Sequence, residues 1–137
     1  MASITVLVSG SGTTLQNLLE ASNDGRLDGR VCAVMADRPA RALERASSAG
    51  IPAMLVSRRR HGVELSEKIR ELLPPETDLI VLGGFLSILS GRILREYRGR
   101  IVNIHPALLP RFGGKGMYGL RVHQAVIEAG ERESGCT

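Results

Sequence analysis

The stretch "DLIVLGG", residues 78 to 84, decides the fold. A strand with one face in water alternates apolar and polar residues, and this run does not, so it is typical of a parallel sheet covered on both faces. Pro74 and Pro75 precede it and end a helical pattern, because proline cannot continue a helix. The apolar face of that helix comprises Leu65, Ile69, Leu72 and Leu73. A helix followed by a covered strand is the repeating unit of an α/β protein.

The rest of the chain continues this alternation. Further strands are predicted at "ITVLV" (4 to 8), "VCAVMA" (31 to 36), "AMLV" (53 to 56) and "RIVNIH" (100 to 105). Helical patterns are marked by Leu15, Leu18 and Leu19, by Pro39 to Gly50, by Ile93, Leu94 and Tyr97, and by Val122, Ala125, Val126 and Ala129. We therefore predict a doubly wound α/β fold with a mostly parallel sheet, whose ligands bind at the carboxyl ends of the strands.

Composition restricts the class of protein. A length of 137 residues and a hydrophobic content of 43% are typical of one globular domain, so we predict a single domain over residues 1–137. No apolar run approaches the roughly 20 residues that span a bilayer, and no charged leader precedes the first strand, so we expect a cytoplasmic protein. Cys32 and Cys136 lack the spacing of a metal site, and we expect both to be reduced and no metal to bind.

The positive charge points to a small ligand. The formal net charge of +4 comes mostly from arginine, whereas aromatic residues make up 3% of the chain. Surfaces that bind single-stranded nucleic acid combine positive charge with aromatic side chains that stack on bases. We therefore predict no nucleic-acid partner and a small anionic ligand instead. Arg59 and Arg60 are the candidates for contacting it, and a solvated face is the alternative for most of the other arginines.

The first candidate site is the turn "SGSGTTLQNLL", residues 9 to 19. It leaves the first strand and enters the first helix, so its backbone N–H groups and the helix dipole favour a phosphate. It matches neither the dinucleotide fingerprint nor the lysine-containing P-loop. The alternative is that Thr13 or Thr14 merely caps the helix.

The second candidate site is the segment "IVNIHPALLPRF", residues 101 to 112. Residues two apart on a strand share a face, so Asn103 and His105 are predicted to project together. An amide beside an imidazole can hold a carbonyl oxygen as it becomes an oxyanion and can exchange protons near neutral pH. The glycine-rich stretch that follows, 106 to 119, is either a flap over the site or a disordered surface loop.

Three segments together resemble one family. "VLVSGSGTTLQNLL", "VLGGFLSILS" and "VNIHPALLPRFGG" are similar to phosphoribosylglycinamide formyltransferases, along the whole length of the chain. The Asn-x-His-x-x-x-Leu-Pro pattern alone is also similar to methionyl-tRNA formyltransferase and formyltetrahydrofolate hydrolase. The first turn distinguishes the glycinamide ribonucleotide enzymes from these.

The resemblance implies a Rossmann-like formyltransferase fold that moves a formyl group from 10-formyltetrahydrofolate to the amine of glycinamide ribonucleotide. It also implies a nucleotide-binding part followed by the start of a catalytic and folate-binding part. His105 would donate a proton and Asn103 would anchor the formyl carbonyl. The other implied contacts are Gly12, Thr13 and Thr14 to the phosphate, Pro106 beside the ribonucleotide, Leu86, Ser87, Ile88 and Leu89 in the folate pocket, and Arg59 or Arg60 at the folate glutamate. A place in the core is the alternative for Leu86, Ile88 and Leu89.

One departure from the family concerns an aspartate that partners the histidine. The family carries it beyond the point matching "ESGCT", and the present sequence does not include it. We therefore expect a C-terminally truncated fold and a poorer proton donor at His105, since a carboxylate neighbour favours the protonated imidazole. A catalytically incompetent phosphate-binding module and methionyl-tRNA formyltransferase are the alternatives. A monomer and a homodimer are equally compatible with the sequence.

Overall fold

Five strands and six α-helices form along residues 1–137, all of which the computed structural model describes. The strands are β1 (Ala2–Val8), β2 (Gly29–Ala36), β3 (Ala53–Leu55), β4 (Leu79–Leu82) and β5 (Ile101–Asn103). The helices are α1 (Thr13–Asn23), α2 (Arg41–Ser48), α3 (Arg58–His61), α4 (Leu65–Leu72), α5 (Arg92–Glu96) and α6 (Leu120–Glu128), and a 3₁₀ turn (Gly62–Glu64) joins α3 to α4. The chain divides into two units, residues 1–102 and 103–137.

The strands form one sheet in the order β3-β2-β1-β4-β5. The central strand β1 pairs in parallel with β2 on one side and with β4 on the other, so that Ile4 lies opposite both Val31 and Leu79. From β1 the chain adds β2 and β3 on one side of the sheet, and it then crosses back to add β4 and β5 on the other side. The direction of strand addition therefore reverses between the neighbouring strands β1 and β4. In sheets of this kind the ligand crevice lies outside the carboxyl ends of the two strands at this reversal. The predicted doubly wound α/β fold is confirmed.

Helices cover the sheet on both faces because neighbouring residues of β1 point in opposite directions. Val6 and Val8 belong to a core cluster with Leu15 of α1 and Ala42 and Ala46 of α2. Leu7, the residue between them, belongs to a second cluster on the other face. That second cluster includes Leu65 and Ile69 of α4, Ile80 of β4 and Ile93 of α5. Burial on both faces explains why the strands are continuously apolar in sequence.

Residues 103–137 contain α6 and a long irregular stretch. Val122 and Val126 are the buried residues of α6. The predicted irregular stretch from 106 to 119 contains no helix or strand, and its Leu109–Pro110 peptide is cis. Thr137 fastens the beginning of this stretch, since its hydroxyl donates to the Ala107 carbonyl at 2.8 Å.

Two local predictions differ from the structure. The fifth strand ends at Asn103 and not at His105, because the backbone N–H and carbonyl of His105 pair with those of Thr137 at 2.8 and 2.9 Å. Helix α3 was not predicted, since four polar residues carry no apolar periodicity.

The assignment of one domain with a nucleotide-binding part and the start of a catalytic part stays a prediction. None of the helices has both the length and the apolar character needed to cross a membrane.

Candidate functional site

The turn after β1 leaves the first helix without a side-chain cap. Gly12 is the N-cap of α1, with a left-handed φ of 79°, and no side chain hydrogen-bonds to the helix end. The alternative that Thr13 or Thr14 serves as the cap is therefore wrong, because both residues already lie inside the helix. Thr13 is exposed and Thr14 half-buried. An uncapped helix N-terminus with exposed hydroxyls beside it is a suitable site for an anion.

The same turn is held in place by helix α2. The Ala42 N–H donates to the Gly10 carbonyl at 3.2 Å, and the Arg45 Nε donates to the Ser11 carbonyl at 2.8 Å. A Cβ at Gly12 would lie 2.7 Å from the Cβ of Ala42, closer than van der Waals contact allows. Glycine is thus required at position 12 both by the left-handed backbone and by the approach of α2. These contacts fix the shape of the turn.

A buried carboxylate stands at the carboxyl end of β2. The side chain of Asp37 is fully buried and accepts hydrogen bonds from Arg38 Nε at 3.0 Å, Arg38 Nη2 at 2.9 Å and Ser87 Oγ at 2.5 Å. Burial raises the pKa of Asp37, but hydrogen bonds from Arg38, Ser87 and Ser9, together with the charge of Arg38, outweigh burial and hold that pKa below its ordinary value. Asp37 is therefore ionised at neutral pH.

The segment after β4 lies along an open groove of about 360 Å³. Leu86 is 45% exposed and Ile88 is 89% exposed, so the core alternative for these two residues is wrong. Leu89 packs against the second core cluster, and for this residue the core position is confirmed. The side chains that line the groove include Arg58, Val63, Ser66, Leu86, Ser87 and Ile88.

Hydrogen bonds to buried serines hold this segment at both ends. The Leu86 N–H donates to Ser9 Oγ at 2.8 Å, and the Ser90 N–H donates to Ser66 Oγ at 2.9 Å. Both acceptor residues are buried. The groove wall is therefore fixed while two of its apolar side chains, those of Leu86 and Ile88, remain open to solvent.

The predicted arginines belong to helix α3. Arg59 and Arg60 are exposed, and Ser57 caps the helix by accepting from the Arg60 N–H at 3.3 Å. The arginine that lines the groove is their neighbour Arg58, which the sequence did not single out. A short helix separates successive side chains by about 100°, so adjacent arginines face different directions.

Asn103 and His105 lie in the second unit. Asn103 is the exposed last residue of β5, and His105 is half-buried. The Nε2 atom of His105 is 2.7 Å from the carbonyl oxygen of Phe112. Because a carbonyl only accepts, Nε2 carries the proton in this contact. Phe112 itself has a left-handed φ of 57°, and Pro106 is half-buried directly after the histidine.

The sequence did not point to Asp37. The available signal was an acidic residue immediately after the apolar strand β2, in the same kind of position that drew attention to Asn103. Its partners Ser9 and Ser87 are distant in sequence, so only the folded chain brings them together. No group of three or more histidine, cysteine, aspartate or glutamate side chains is arranged to hold a metal ion.

Comparison with known proteins finds a match to the family model described as formyl transferase over residues 2–137. The trifunctional purine biosynthetic protein adenosine-3 of Drosophila melanogaster is 41% identical over 140 residues, covering 98% of this chain and 10% of that protein. The phosphoribosylglycinamide formyltransferase of Haemophilus influenzae is 36% identical, covering 100% of this chain and 64% of that protein. The crystal structure of glycinamide ribonucleotide transformylase 1 from Geobacillus kaustophilus has a TM-score of 0.87 and 37% identity, covering 100% of this chain and 72% of that one. The chain thus spans less than two thirds of the length of these two relatives.

Proposed function

The chain belongs to the formyl transferase family, and from this membership we propose that it transfers a formyl group from 10-formyltetrahydrofolate to the amine of glycinamide ribonucleotide. The observation that carries the proposal is similarity over the whole chain to proteins named for this reaction. The reaction yields the N-formyl nucleotide and tetrahydrofolate. No metal takes part in the proposed chemistry.

We assign the phosphate of the nucleotide to the turn from Ser9 to Thr14. Gly12 allows the backbone to approach an anion, and Thr13 and Thr14 add hydroxyl donors next to the uncapped helix N-terminus. The hydrogen bonds that hold the turn against helix α2 support this role, because a rigid site loses little conformational entropy on binding.

We assign the folate to the groove beside residues 86–89. The exposed side chains of Leu86 and Ile88 offer apolar surface to the ring system, and the backbone at Ser87 offers polar contacts. An arginine of α3 would meet the glutamate carboxylates of the folate. Arg59 and Arg60 stay the candidates named from the sequence, and Arg58 joins them because it lines the groove.

We assign the formyl group to Asn103 and His105. Attack of the substrate amine on the formyl carbon places negative charge on the formyl oxygen, where the Asn103 amide would donate a hydrogen bond. Collapse of this intermediate breaks the bond to N10 of the folate. The proton lost by the amine has to reach N10, and His105 would carry it. Pro106 would border the ribonucleotide.

The proposed function is tested by incubating the purified protein with 10-formyltetrahydrofolate and glycinamide ribonucleotide and following the N-formyl product by mass spectrometry. We expect product to form in proportion to enzyme, with one tetrahydrofolate released per product. Phosphate binding without turnover would support an incompetent binding module instead. Formylation of methionyl-tRNA, but not of the ribonucleotide, would contradict the proposed acceptor.

Gly12→Ala is expected to weaken binding of glycinamide ribonucleotide by about tenfold or more. The added Cβ disfavours the left-handed backbone by roughly 1–2 kcal/mol and collides with Ala42, so the donors of the turn are displaced. Isothermal titration of the nucleotide measures the effect. Gly25→Ala is the matched control, because Gly25 has a similar left-handed φ of 70°, a Cβ there meets nothing within 4 Å, and the residue lies outside the turn. Unchanged nucleotide affinity in Gly12→Ala would contradict a phosphate site in this turn.

The loop from Arg111 to Gly119 is expected to exchange its amide hydrogens rapidly without ligand and to become protected when folate and nucleotide bind. Its contact with His105 through the Phe112 carbonyl supports this prediction, because a substrate that uses Nε2 has to replace that carbonyl. Hydrogen exchange with mass spectrometry, with and without both ligands, measures the change. Strong protection of the loop in both states would contradict a moving flap and leave a static surface loop.

Two further assignments stay predictions. The cytoplasmic address is checked by fractionation of the source cells. The choice between a monomer and a homodimer is decided by the mass of the purified protein in sedimentation.

A further inference from the structure

We propose that Asp37 is a positioning residue for the formyl donor. It would act by holding the groove wall formed by residues 86–90 in the shape that receives the folate. This inference rests on the proposed function, because it takes the groove to be the donor site. No reacting atom would touch Asp37, whose carboxylate is buried beneath the groove wall.

The hydrogen bonds to the start of the groove wall carry the inference. Ser87, which lines the groove, donates its hydroxyl to Asp37 at 2.5 Å. The neighbouring Leu86 N–H donates to Ser9 Oγ at 2.8 Å, and Ser9 contributes to lowering the pKa of Asp37. Ser87 is therefore bound directly to the buried carboxylate, and Leu86 is bound to a serine that interacts with it.

A carboxylate suits this position better than a neutral side chain. Asp37 accepts two hydrogen bonds from Arg38 and one from Ser87. An ionised carboxylate has about four acceptor positions, whereas an asparagine amide has one accepting oxygen and an NH₂ group that cannot accept. Replacing Asp37 therefore leaves at least one of its donors without an acceptor and releases the wall.

The phosphate turn is expected to be less sensitive to Asp37 than the groove. Ser9 begins the turn, but the backbone that follows is held independently by hydrogen bonds from Ala42 to Gly10 and from Arg45 to Ser11. Loss of Asp37 should therefore weaken binding of the formyl donor and leave binding of the nucleotide nearly unchanged. If Asp37 were purely structural, its loss would weaken binding of both ligands.

The test compares Asp37→Ala, Asp37→Asn and Ser87→Ala with the wild type by titration of tetrahydrofolate and, separately, of glycinamide ribonucleotide. Asp37→Ala is expected to raise the dissociation constant of tetrahydrofolate about tenfold, the typical effect of losing a hydrogen bond to a charged group. Asp37→Asn should be intermediate. The nucleotide constant should change by less than about threefold, given the separate tethers of the turn.

A double-mutant cycle and a matched control separate positioning from general damage. The double variant Asp37→Ala with Ser87→Ala should bind tetrahydrofolate as tightly as Asp37→Ala does, because the two residues act through one hydrogen bond. Ser87→Thr should retain wild-type affinity by restoring the hydroxyl. Asp78→Ala is the control, since this carboxylate accepts from the Ser3 N–H at the opposite end of the sheet and should leave both affinities unchanged.

The possible outcomes are distinct. Absence of tetrahydrofolate binding to the wild-type protein would overturn the proposed function and this inference with it. If the wild type binds both ligands and Asp37→Ala binds tetrahydrofolate as tightly as Asp78→Ala does, the inference is overturned and the proposed function is not. An equal loss of both ligands in Asp37→Ala would also overturn it. If Asp37→Ala does not fold, Ser87→Ala decides the question, and an unchanged tetrahydrofolate constant in that variant contradicts the positioning role.

Discussion

His105→Ala and Asn103→Ala are each expected to slow formyl transfer by about a hundredfold to a thousandfold. A loss of roughly 3 to 4 kcal/mol is typical of removing an oxyanion donor such as Asn103, and a general acid–base group such as His105 contributes about a hundredfold or more. Charge develops on the formyl oxygen and the proton moves only as the reaction proceeds, so these side chains stabilise the transition state more than the bound substrates. Affinity for glycinamide ribonucleotide should be little changed, since we assign its phosphate to the turn from Ser9 to Thr14.

Steady-state and single-turnover kinetics on the complete gene product measure this effect. His123→Ala is the matched control, because it removes the same kind of side chain from an exposed position of helix α6, where we assign no role in the reaction. Variants at His105 and Asn103 that lose nucleotide affinity but keep the single-turnover rate would refute the assigned roles. A rate that falls in the His123 variant as well would point to general damage.

Ile80→Ala is expected to lower the free energy of unfolding by about 3 kcal/mol, within the range for truncating a fully buried isoleucine. Ile80 is 0% exposed and lies in the second core cluster, where removal of its side chain leaves a cavity. Ile88→Ala removes the same atoms from a side chain that is 89% exposed, so the unfolding free energy should stay nearly unchanged. Urea denaturation of both variants measures the difference.

Folate affinity should show the opposite pattern in these two variants. Ile88→Ala is expected to weaken tetrahydrofolate binding by removing apolar surface from the groove, whereas folded Ile80→Ala should bind it as the wild type does. The comparison uses one residue type and one substitution, so side-chain chemistry is constant. Unchanged folate affinity in Ile88→Ala would remove that residue from the proposed donor site.

The sheet could be predicted from the sequence because burial on both faces demands continuous apolar strands. Stretches such as "DLIVLGG" therefore stand out without knowledge of their partners. Helix α3 lacked any such signal, since its four residues are three arginines and a histidine. The predicted end of β5 was also wrong, by two residues. Its pairing stops where the backbone of His105 turns to Thr137, a contact that local sequence does not encode.

The residues of the candidate site also fall into those that the sequence could predict and those that it could not. Gly12, Asn103 and His105 follow strands or precede a helix, so their positions suggest chemistry before the fold is known. The role of Asp37 depends on Ser87, 50 positions later in the chain, and Ser9 reaches Leu86 across 77 positions. These separations are set by the order of the strands. A single sequence shows that the residues are polar, but it does not show that they meet.

The central place of β1 in the sheet implies an order of assembly for the chain. Pairing between β1 and β2 joins residues 27 positions apart, as between Ile4 and Val31, whereas pairing between β1 and β4 joins residues 75 positions apart, as between Ile4 and Leu79. Closing the longer loop costs about 1 kcal/mol more in chain entropy. We therefore expect β1, α1 and β2 to associate first during refolding and β4 to dock later. Pulse-labelling of amide hydrogens should show protection in β2 before β4, and the reverse order would contradict this sequence of events.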